Sequence, residues 1–261
     1  MKAIFETQIH IVFNADEGER ITFPIITSKP NKLYYFKADP SKLNAADMYE
    51  SFYRKNSEVL KKEIPTLEII TNLIDYTDYF QIIQEISKVI SNEREQNPNC
   101  KIYINISAGS KLTAIASIEA ARIWNLETYY LYSQEISFGG GPKHSGKMEF
   151  LPIKGFPIQK PREDLIKVLK IIEKMMAGGK KFIYKKYLLN VLKDEGLLQL
   201  ITENPDLKKN KSSEYMALNQ RYLNPLEKAW KFIKISDDKR NKKIFLTDEG
   251  KEILKIFKYY I

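Results

Sequence analysis

The chain has 261 residues, a formal net charge of +9 at pH 7, 43% hydrophobic residues and a single cysteine. It is long enough for two domains with separate cores, and no apolar stretch is long enough to cross a bilayer or act as a signal peptide. The lone Cys100 excludes an internal disulfide and is typical of a reducing compartment. We therefore expect a cytoplasmic protein with no membrane partner.

The basic residues are unevenly distributed. Residues 1–159 carry 18 Lys/Arg and 19 Asp/Glu, whereas residues 160–261 carry 24 and 14. This asymmetry is typical of a binder of phosphate backbones joined to a neutral domain. The alternative is a lysine-rich surface that is simply solvated.

The first part of the chain alternates short apolar runs with amphipathic stretches. Strands are predicted at Gln8–Phe13, Lys32–Lys37, Thr66–Thr71, Lys101–Ser107, Leu126–Ser133 and Lys147–Ile153, and helices at Glu19–Ser28, Asn44–Lys62, Thr77–Gln96 and Lys111–Trp124. This order predicts an α/β fold over residues 1–158: a Rossmann-like, doubly wound, mostly parallel six-stranded sheet with helices on both faces.

Small and polar residues follow two of these strands. In doubly wound sheets, ligands bind outside the carboxyl ends of the strands, where the strand order reverses. A helix start attracts anions there, because its first N–H groups are unpaired and carry the positive end of the dipole. Lys111 is unfavourable beside that dipole unless an anion binds, although an ordinary crossover with a solvated lysine is the alternative. The candidate ligand-binding residues are Asn14, Ala15, Asp16, Ser107, Ala108, Gly109, Ser110 and Lys111, with Gly140 and Lys143 from the loop Glu135–Gly146.

Other chemistry has little support in the sequence. The Walker and G-x-G-x-x-G spacings are absent, and no Cys/His/Asp cluster has the spacing of metal ligands. His10 is expected to be packed inside its strand, and His144 to be a bystander in a loop. Ser107 and Ser110 are better suited to hydrogen bonding a phosphate than to nucleophilic attack. No catalytic residue, metal or cofactor is predicted.

The last hundred residues have a different pattern. Helices are predicted at Arg162–Ala177 and Tyr184–Ile201, and from a cap at Ser212 or Ser213 to Phe232; a hairpin follows at Phe232–Ile235 and Ile244–Leu246, and Thr247 caps a final helix, Asp248–Tyr260. Three helices, a hairpin with a basic tip and a last helix predict a winged helix-turn-helix over residues 159–261. Its third helix would enter the major groove while the wing follows the backbone.

The third helix is predicted to expose Glu214, Ala217, Leu218 and Arg221 and to turn Met216 inward. Gln220 and Arg221 are suited to base edges, and lysines to phosphates. The candidate DNA-binding residues are Lys208, Lys209, Lys211, Ser213, Tyr215, Gln220, Arg221, Lys239, Arg240, Lys242 and Lys243. The alternative is a winged domain used for protein contacts or dimerisation.

Three short motifs carry a family resemblance: Asn14-Ala15-Asp16, the segment Asn105–Lys111, and Tyr222–Glu227 together with Leu246–Gly250. With them, the chain resembles CARF (CRISPR-associated Rossmann fold) proteins fused to a winged helix, of the archaeal transcriptional-regulator type. The family commonly has a polar-Thr-Gly-Gly-Thr-Lys turn after the fourth strand. This chain has Ser-Ala-Gly-Ser-Lys, with Ala108 and Ser110 substituted.

The resemblance implies a homodimer that binds one cyclic oligoadenylate, typically cyclic tetra-adenylate, across its two-fold axis. The implied function is a ligand-responsive, DNA-binding regulator of transcription in CRISPR antiviral defence, with double-stranded DNA as partner. One alternative is a metal-independent ring nuclease that cleaves the ring in the same pocket. Another is a nucleic-acid- or protein-binding module whose first domain only dimerises.

Overall fold

The computed structural model describes residues 6–42, 46–139, 141–153, 159–198, 211–238 and 241–259. The chain divides into two compact units, residues 1–158 and residues 159–259. Five candidate site residues lie outside the described residues: Gly140, Lys208, Lys209, Lys239 and Arg240. Among the described helices, none combines the length and the apolar character needed to span a membrane.

The first unit is an α/β sandwich built on one sheet. Its strands are β1 (Gln8–Phe13), β2 (Lys32–Ala38), β3 (Glu68–Ile74), β4 (Lys101–Asn105), β5 (Glu127–Ile136) and β6 (His144–Ile153), and its helices are α1 (Gly18–Ser28), α2 (Ala46–Glu63), α3 (Tyr79–Gln96) and α4 (Lys111–Trp124). The strand order is β3-β2-β1-β4-β5-β6, parallel except for β6. The predicted Rossmann-like, mostly parallel sheet is confirmed.

The strand order reverses between β1 and β4. β1 is a central strand that pairs in parallel with β2 at one edge and with β4 at the other. Its residues Ile9–Phe13 are buried, as expected for a parallel strand with helices on both faces of the sheet. The turn after β4 packs tightly against the end of β1: a Cβ added at Gly109 would lie 2.8 Å from Phe13 Cβ and 2.6 Å from Thr113 Oγ1. Gly109 also has φ +98°, which favours glycine.

The second unit has the element order of a winged helix. Its elements are α5 (Glu163–Met175), β7 (Ile183–Tyr184), α6 (Lys185–Asp194), α7 (Lys211–Leu218), β8 (Ile233–Ile235), β9 (Lys243–Leu246) and α8 (Asp248–Ile256). The three strands form one antiparallel sheet in the order β7-β9-β8. Thr247 caps α8 by accepting a hydrogen bond from the Gly250 N–H at 3.0 Å, which confirms that predicted cap.

The predicted third helix is present over nearly its expected length, as α- and π-helical turns from Lys211 to Ala229, but its predicted exposed face is wrong. α7 ends at Leu218, and the chain continues in π-helical turns at Asn219–Leu223 and Pro225–Ala229. Leu218 is fully buried and Glu214 is 9% exposed, while Met216, predicted inside, is 57% exposed. The buried Glu214 carboxylate forms an ion pair with Lys193 at 2.5 Å. Leu218 packs in the hydrophobic core of this unit because its side chain is apolar.

Three further predictions are corrected. The segment Glu135–Gly146 is not one loop, because β5 runs to Ile136 and β6 begins at His144. Helix α6 ends at Asp194, well before the predicted Ile201, which lies outside the described residues. Since α7 begins at Lys211, Ser212 and Ser213 lie within its first turn and do not precede it as caps.

His10 is packed inside β1, as predicted. Its ring is 3% exposed, and Nδ1 lies 3.0 Å from the Tyr129 hydroxyl. Burial lowers the pKa of His10 to about 4, because desolvation disfavours the charged ring.

We predict that His10 weakens the fold as the pH falls from 6.5 to 4. The unfolded chain binds a proton at this residue below pH 6.5, whereas the folded chain stays neutral there until about pH 4. The free energy of unfolding therefore loses ~3 kcal/mol from this group across that range. His10→Gln removes the titration, so the difference between wild type and variant in denaturation at several pH values reports the effect. Parallel pH profiles would contradict it.

A second prediction concerns the turn after β4. Gly109→Ala should lower the free energy of unfolding by about 2–4 kcal/mol, since it combines a left-handed backbone with overpacking against Phe13 and Thr113. Gly139→Ala is the matched control, because only Ser137 Oγ, at 3.9 Å, lies near its added Cβ. It should change the stability by less than ~0.5 kcal/mol in the same urea titration. Equal losses in the two variants would contradict the packing argument.

Candidate functional site

A buried asparagine joins the two turns at the point where the strand order reverses. Asn105, at the end of β4, is 1% exposed. Its Nδ2 donates to the Arg20 carbonyl at 2.8 Å, and its Oδ1 accepts from the Ser107 N–H at 2.8 Å. The first turns of α1 and the turn before α4 are thereby held side by side.

Two of the candidate ligand-binding residues have side chains committed to the fold. Asn14 is 1% exposed, donates to the Tyr49 carbonyl at 2.7 Å and accepts from the Tyr35 hydroxyl at 3.0 Å. Ser107 is 5% exposed, and its Oγ accepts from the Leu131 N–H at 2.7 Å. Ala15 and Ala108 are also buried. These four residues therefore shape the turns, and the exposed polar groups lie elsewhere.

The start of α4 is accessible. Ser110 caps the helix, its Oγ accepting from the Thr113 N–H at 3.1 Å. Lys111 is exposed and makes no ion pair with another residue of the described part of the chain. An unneutralised cation at a helix start, beside a glycine turn, has the geometry of an anion site.

The hairpin of β5 and β6 reaches the turn after β1. Lys143 Nζ lies 2.8 Å from Asp16 Oδ2, and this hydrogen bond raises the pKa of Lys143. His144, predicted as a bystander, is 3% exposed. Its Nδ1 lies 2.8 Å from Ser133 Oγ and its Nε2 lies 3.2 Å from Glu17 Oε1. The residues Asp16 and Lys143 are brought together as predicted, and His144 fixes the hairpin beside them.

Arg20, a buried residue in contact with the turn before α4, is not among the site residues predicted from the sequence. It is 8% exposed, and its Nη1 donates to Glu17 Oε1 at 3.4 Å and to the Ser107 carbonyl at 3.5 Å. The guanidinium stacks 5.0 Å from the ring centre of Tyr130, and its Nε is buried without a hydrogen-bond partner. An Arg in the first turn of an otherwise apolar helix was the available signal, since burying it requires compensating contacts.

A recess lies beside the turn after β1. Its volume is about 210 Å³, and it is lined by Ala15, Asp16, Gly18, Glu19, Thr22, Phe52, Lys55, Asn56 and Val59. Glu19 Oε2 is buried there without a hydrogen-bond partner. Polar and apolar walls together, next to an anion site, suit a heterocyclic ring with hydrogen-bonding edges.

The candidate DNA-binding residues of the winged unit differ in their exposure and in their contacts. Gln220 and Arg221 are exposed just after α7, with Arg221 Nε 3.7 Å from Asp164 Oδ2. Tyr215 is half-buried, with Lys185 Nζ 5.3 Å from its ring centre. Lys242 is exposed, and Lys243 Nζ lies 4.7 Å from the centre of the Phe182 ring. Ser213 is half-buried in the first turn of α7, and only the backbone of Lys211 is described.

Metal chemistry has no candidate cluster in the residues described. No group of three or more His, Cys, Asp or Glu side chains is arranged to hold a metal ion among them.

Each unit matches a family model. Residues 8–136 match the family described as HFX_2341_N-like, N-terminal. Residues 164–258 match the DUF6293 C-terminal winged helix domain. The uncharacterized protein MJ1513 of Methanocaldococcus jannaschii is 28% identical over 229 residues, which cover 78% of this chain and 64% of that protein. The chain thus spans less than two thirds of this relative.

Solved structures are similar at low identity. Can2 from Sulfobacillus thermosulfidooxidans, in complex with cyclic tetra-adenylate, has a TM-score of 0.38 and 15% identity, covering 97% of this chain and 64% of its own. Csm6 from Enterococcus italicus, bound to cyclic hexa-2'-fluoro-hexa-dAMP, has a TM-score of 0.48 and 10% identity, covering 87% and 56%.

The two family matches follow one another along the chain in the order of its two units. The first covers the strands β1 to β5 of the mostly parallel sheet, and the second covers the three-stranded winged sheet and its helices. The chain therefore has an N-terminal domain similar to the HFX_2341_N-like model followed by a C-terminal domain similar to the DUF6293 winged helix model, and this order agrees with the Rossmann-like plus winged helix architecture expected from its resemblance to CARF proteins.

Proposed function

We propose that the protein is a cytoplasmic, DNA-binding transcriptional regulator of CRISPR defence that responds to a cyclic oligoadenylate, with cyclic tetra-adenylate as the first candidate. The observation that carries the proposal is Lys111 at the start of α4, which is exposed and has no ion-pair partner among the described residues, at the reversal of strand order in a sheet joined to a basic winged unit. The first unit senses the ring, and the second binds duplex DNA.

The chemistry of the site supports an anionic ligand with several phosphates. Lys111 and the first turn of α4 supply a charge and unpaired N–H groups to one phosphate. Lys143 lies on the same edge of the sheet, beside the turn after β1. The recess next to Asp16 gives a base of the ligand a place with hydrogen-bonding and apolar walls. A nucleotide ring meets all three requirements at once.

An exposed apolar side chain on α4 supports a homodimer. Ile115 is 53% exposed and lies one turn beyond Lys111 on the same side of the helix. A two-fold contact that buries Ile115 would place both copies of Lys111 at its edge. A ring with four phosphates and two-fold symmetry matches such a pair of sites.

The charge and shape of the second unit support DNA as its partner. Residues 160–261 carry 24 Lys/Arg and 14 Asp/Glu. Gln220 and Arg221 extend from the helix that enters the major groove in winged helix proteins, and Lys242 lies at the base of the wing. Acidic Glu214, which would repel DNA, is instead neutralised by Lys193.

Binding of the ring and of DNA must be coupled for such a regulator to work. If the ring changes the DNA affinity of the dimer by a given factor, DNA changes the affinity for the ring by the same factor. This reciprocity can be measured without knowing whether the ring promotes or releases DNA binding.

We predict that wild-type protein binds cyclic tetra-adenylate with one ring per two chains and that Lys111→Ala weakens this binding about 100-fold or more. Each lost charge-assisted contact costs ~1.5 kcal/mol or more, and a ring would lose two. Isothermal titration calorimetry gives both the affinity and the stoichiometry.

Lys62→Ala is the matched control, because Lys62 is an exposed lysine near the end of α2. Its affinity should equal that of the wild type. Unchanged affinity in Lys111→Ala would remove this lysine from the site. Recovery of linear oligoadenylate after incubation would instead support a ring nuclease.

We also predict that Lys242→Ala weakens binding to all duplex sequences and reduces the slope of log K against log salt by about 1, since one phosphate contact is lost. Arg221→Ala should instead reduce the preference for a selected operator over random duplex. Fluorescence anisotropy at several salt concentrations separates the two effects. An unchanged slope in Lys242→Ala, with Lys62→Ala as reference, would contradict the phosphate contact.

A further inference from the structure

The three-stranded sheet of the winged unit has an aromatic outer face. Ile183 and Ile244 are cross-strand partners, and both are buried against the helices. Because side chains alternate along a strand, Tyr184, Lys243 and Phe245 lie on the opposite face. We call Phe182, Tyr184, Tyr187 and Phe245 the aromatic face.

The rings of the aromatic face form a continuous chain. The Phe182 ring centre lies 5.4 Å from that of Tyr184 and 5.7 Å from that of Phe245, and Tyr184 lies 6.0 Å from Tyr187. Tyr184 is 37% exposed and Tyr187 is 56% exposed. A groove of about 460 Å³ runs along these rings and is lined by Met175, Lys180, Lys181, Phe182, Ile183, Tyr184 and Tyr187.

The edge of this groove is positively charged. Lys180 and Lys181 are exposed beside it. Lys186 is exposed one residue before Tyr187, and the exposed Lys242 accepts a backbone hydrogen bond from Lys185. Lys243 lies 4.7 Å over the Phe182 ring and adds a cation–π contact. None of the described residues that line the groove is acidic. The groove therefore favours a ligand with flat rings and negative charge.

We propose that the aromatic face binds single-stranded nucleic acid, with bases stacked on Tyr184 and Tyr187 and phosphates near Lys180 and Lys181. Exposed aromatic rings flanked by cations are how proteins bind single strands without sequence preference, because every base has a face that can stack. This surface adjoins the one proposed for duplex DNA: Lys242 and Lys243 border both, whereas Tyr184 and Tyr187 are not among the candidate duplex-binding residues.

The two surfaces are linked through β9. This strand begins at Lys243, next to the wing, and carries Phe245. The N–H of Lys185, the residue that follows β7, donates a hydrogen bond to the Lys242 carbonyl at 2.9 Å. An unpaired strand at the end of a duplex that lies along the wing would thus meet the aromatic face. The structure accordingly favours a junction of duplex and single strand over a blunt duplex.

The test uses the full chain and oligonucleotides that contain 2-aminopurine, whose fluorescence falls on stacking. Wild-type protein should quench a 12-nucleotide single strand. Tyr187→Ala should weaken its binding about 5- to 100-fold, equivalent to 1–3 kcal/mol per stacked base, and leave blunt-duplex affinity within twofold. Tyr187→Phe keeps the ring and should keep both the binding and the quenching.

Phe138→Ala is the matched control, because Phe138 is an aromatic residue of the first unit with 94% exposure. Its affinity for the single strand and its quenching of 2-aminopurine should equal those of the wild type. The proposal is overturned if wild-type protein neither binds nor quenches the single strand, or if Tyr187→Ala binds it as tightly as wild type. It is also overturned if Tyr187→Phe loses as much as Tyr187→Ala, or if polyglutamate competes as well as an unlabelled oligonucleotide. The last outcome would identify an acidic polypeptide as the ligand.

Discussion

The buried side-chain amide of Asn105 is the contact on which the arrangement of the first unit depends. Its two hydrogen bonds satisfy the Arg20 carbonyl and the Ser107 N–H, so one residue at the end of β4 fixes both α1 and the turn before α4. Ser107 in turn satisfies the Leu131 N–H of β5. Buried polar groups that satisfy each other in this way specify one arrangement, because breaking any of them leaves an unpaired donor or acceptor. The accessible start of α4 is thus held rigidly.

The winged unit depends on apolar packing more than on buried polar contacts. Its core includes Leu169, Leu188, Leu218, Tyr222 and Ile244, all fully buried, from four helical segments and a strand. The π-helical turns after α7 bring Tyr222, Leu223 and Leu226 to this core in close succession. Packing against this core therefore determines which side of the helical segment is buried, and Gln220 and Arg221 lie on the exposed side.

The sequence patterns predict the strands and class of the sheet correctly, but they do not predict which side chains of α7 are exposed. Strands such as β1 and β2 are continuous apolar runs bounded by turn residues, and these patterns are local. The face of α7 was mispredicted because a 3.6-residue period was applied to a segment that continues in π-helical turns, where that period fails. Arg20 and His144 were missed because their partners, Ser107 and Glu17, are distant along the chain, and only the folded sheet brings them together.

The ion pair between Asp16 and Lys143 has a consequence for how the proposed sensor would set its threshold. The Asp16 carboxylate forms an ion pair with Lys143 when no ligand is bound. Because both residues belong to one chain, the effective concentration of the carboxylate at the lysine is high, and it competes with a phosphate for that lysine. In the proposed sensor, a ring would have to displace Asp16 to reach Lys143, so the ion pair would lower the affinity for the ring and for single nucleotides alike. Displacement of Asp16 by the proposed ligand would also alter the turn that leads into α1, which begins at Gly18.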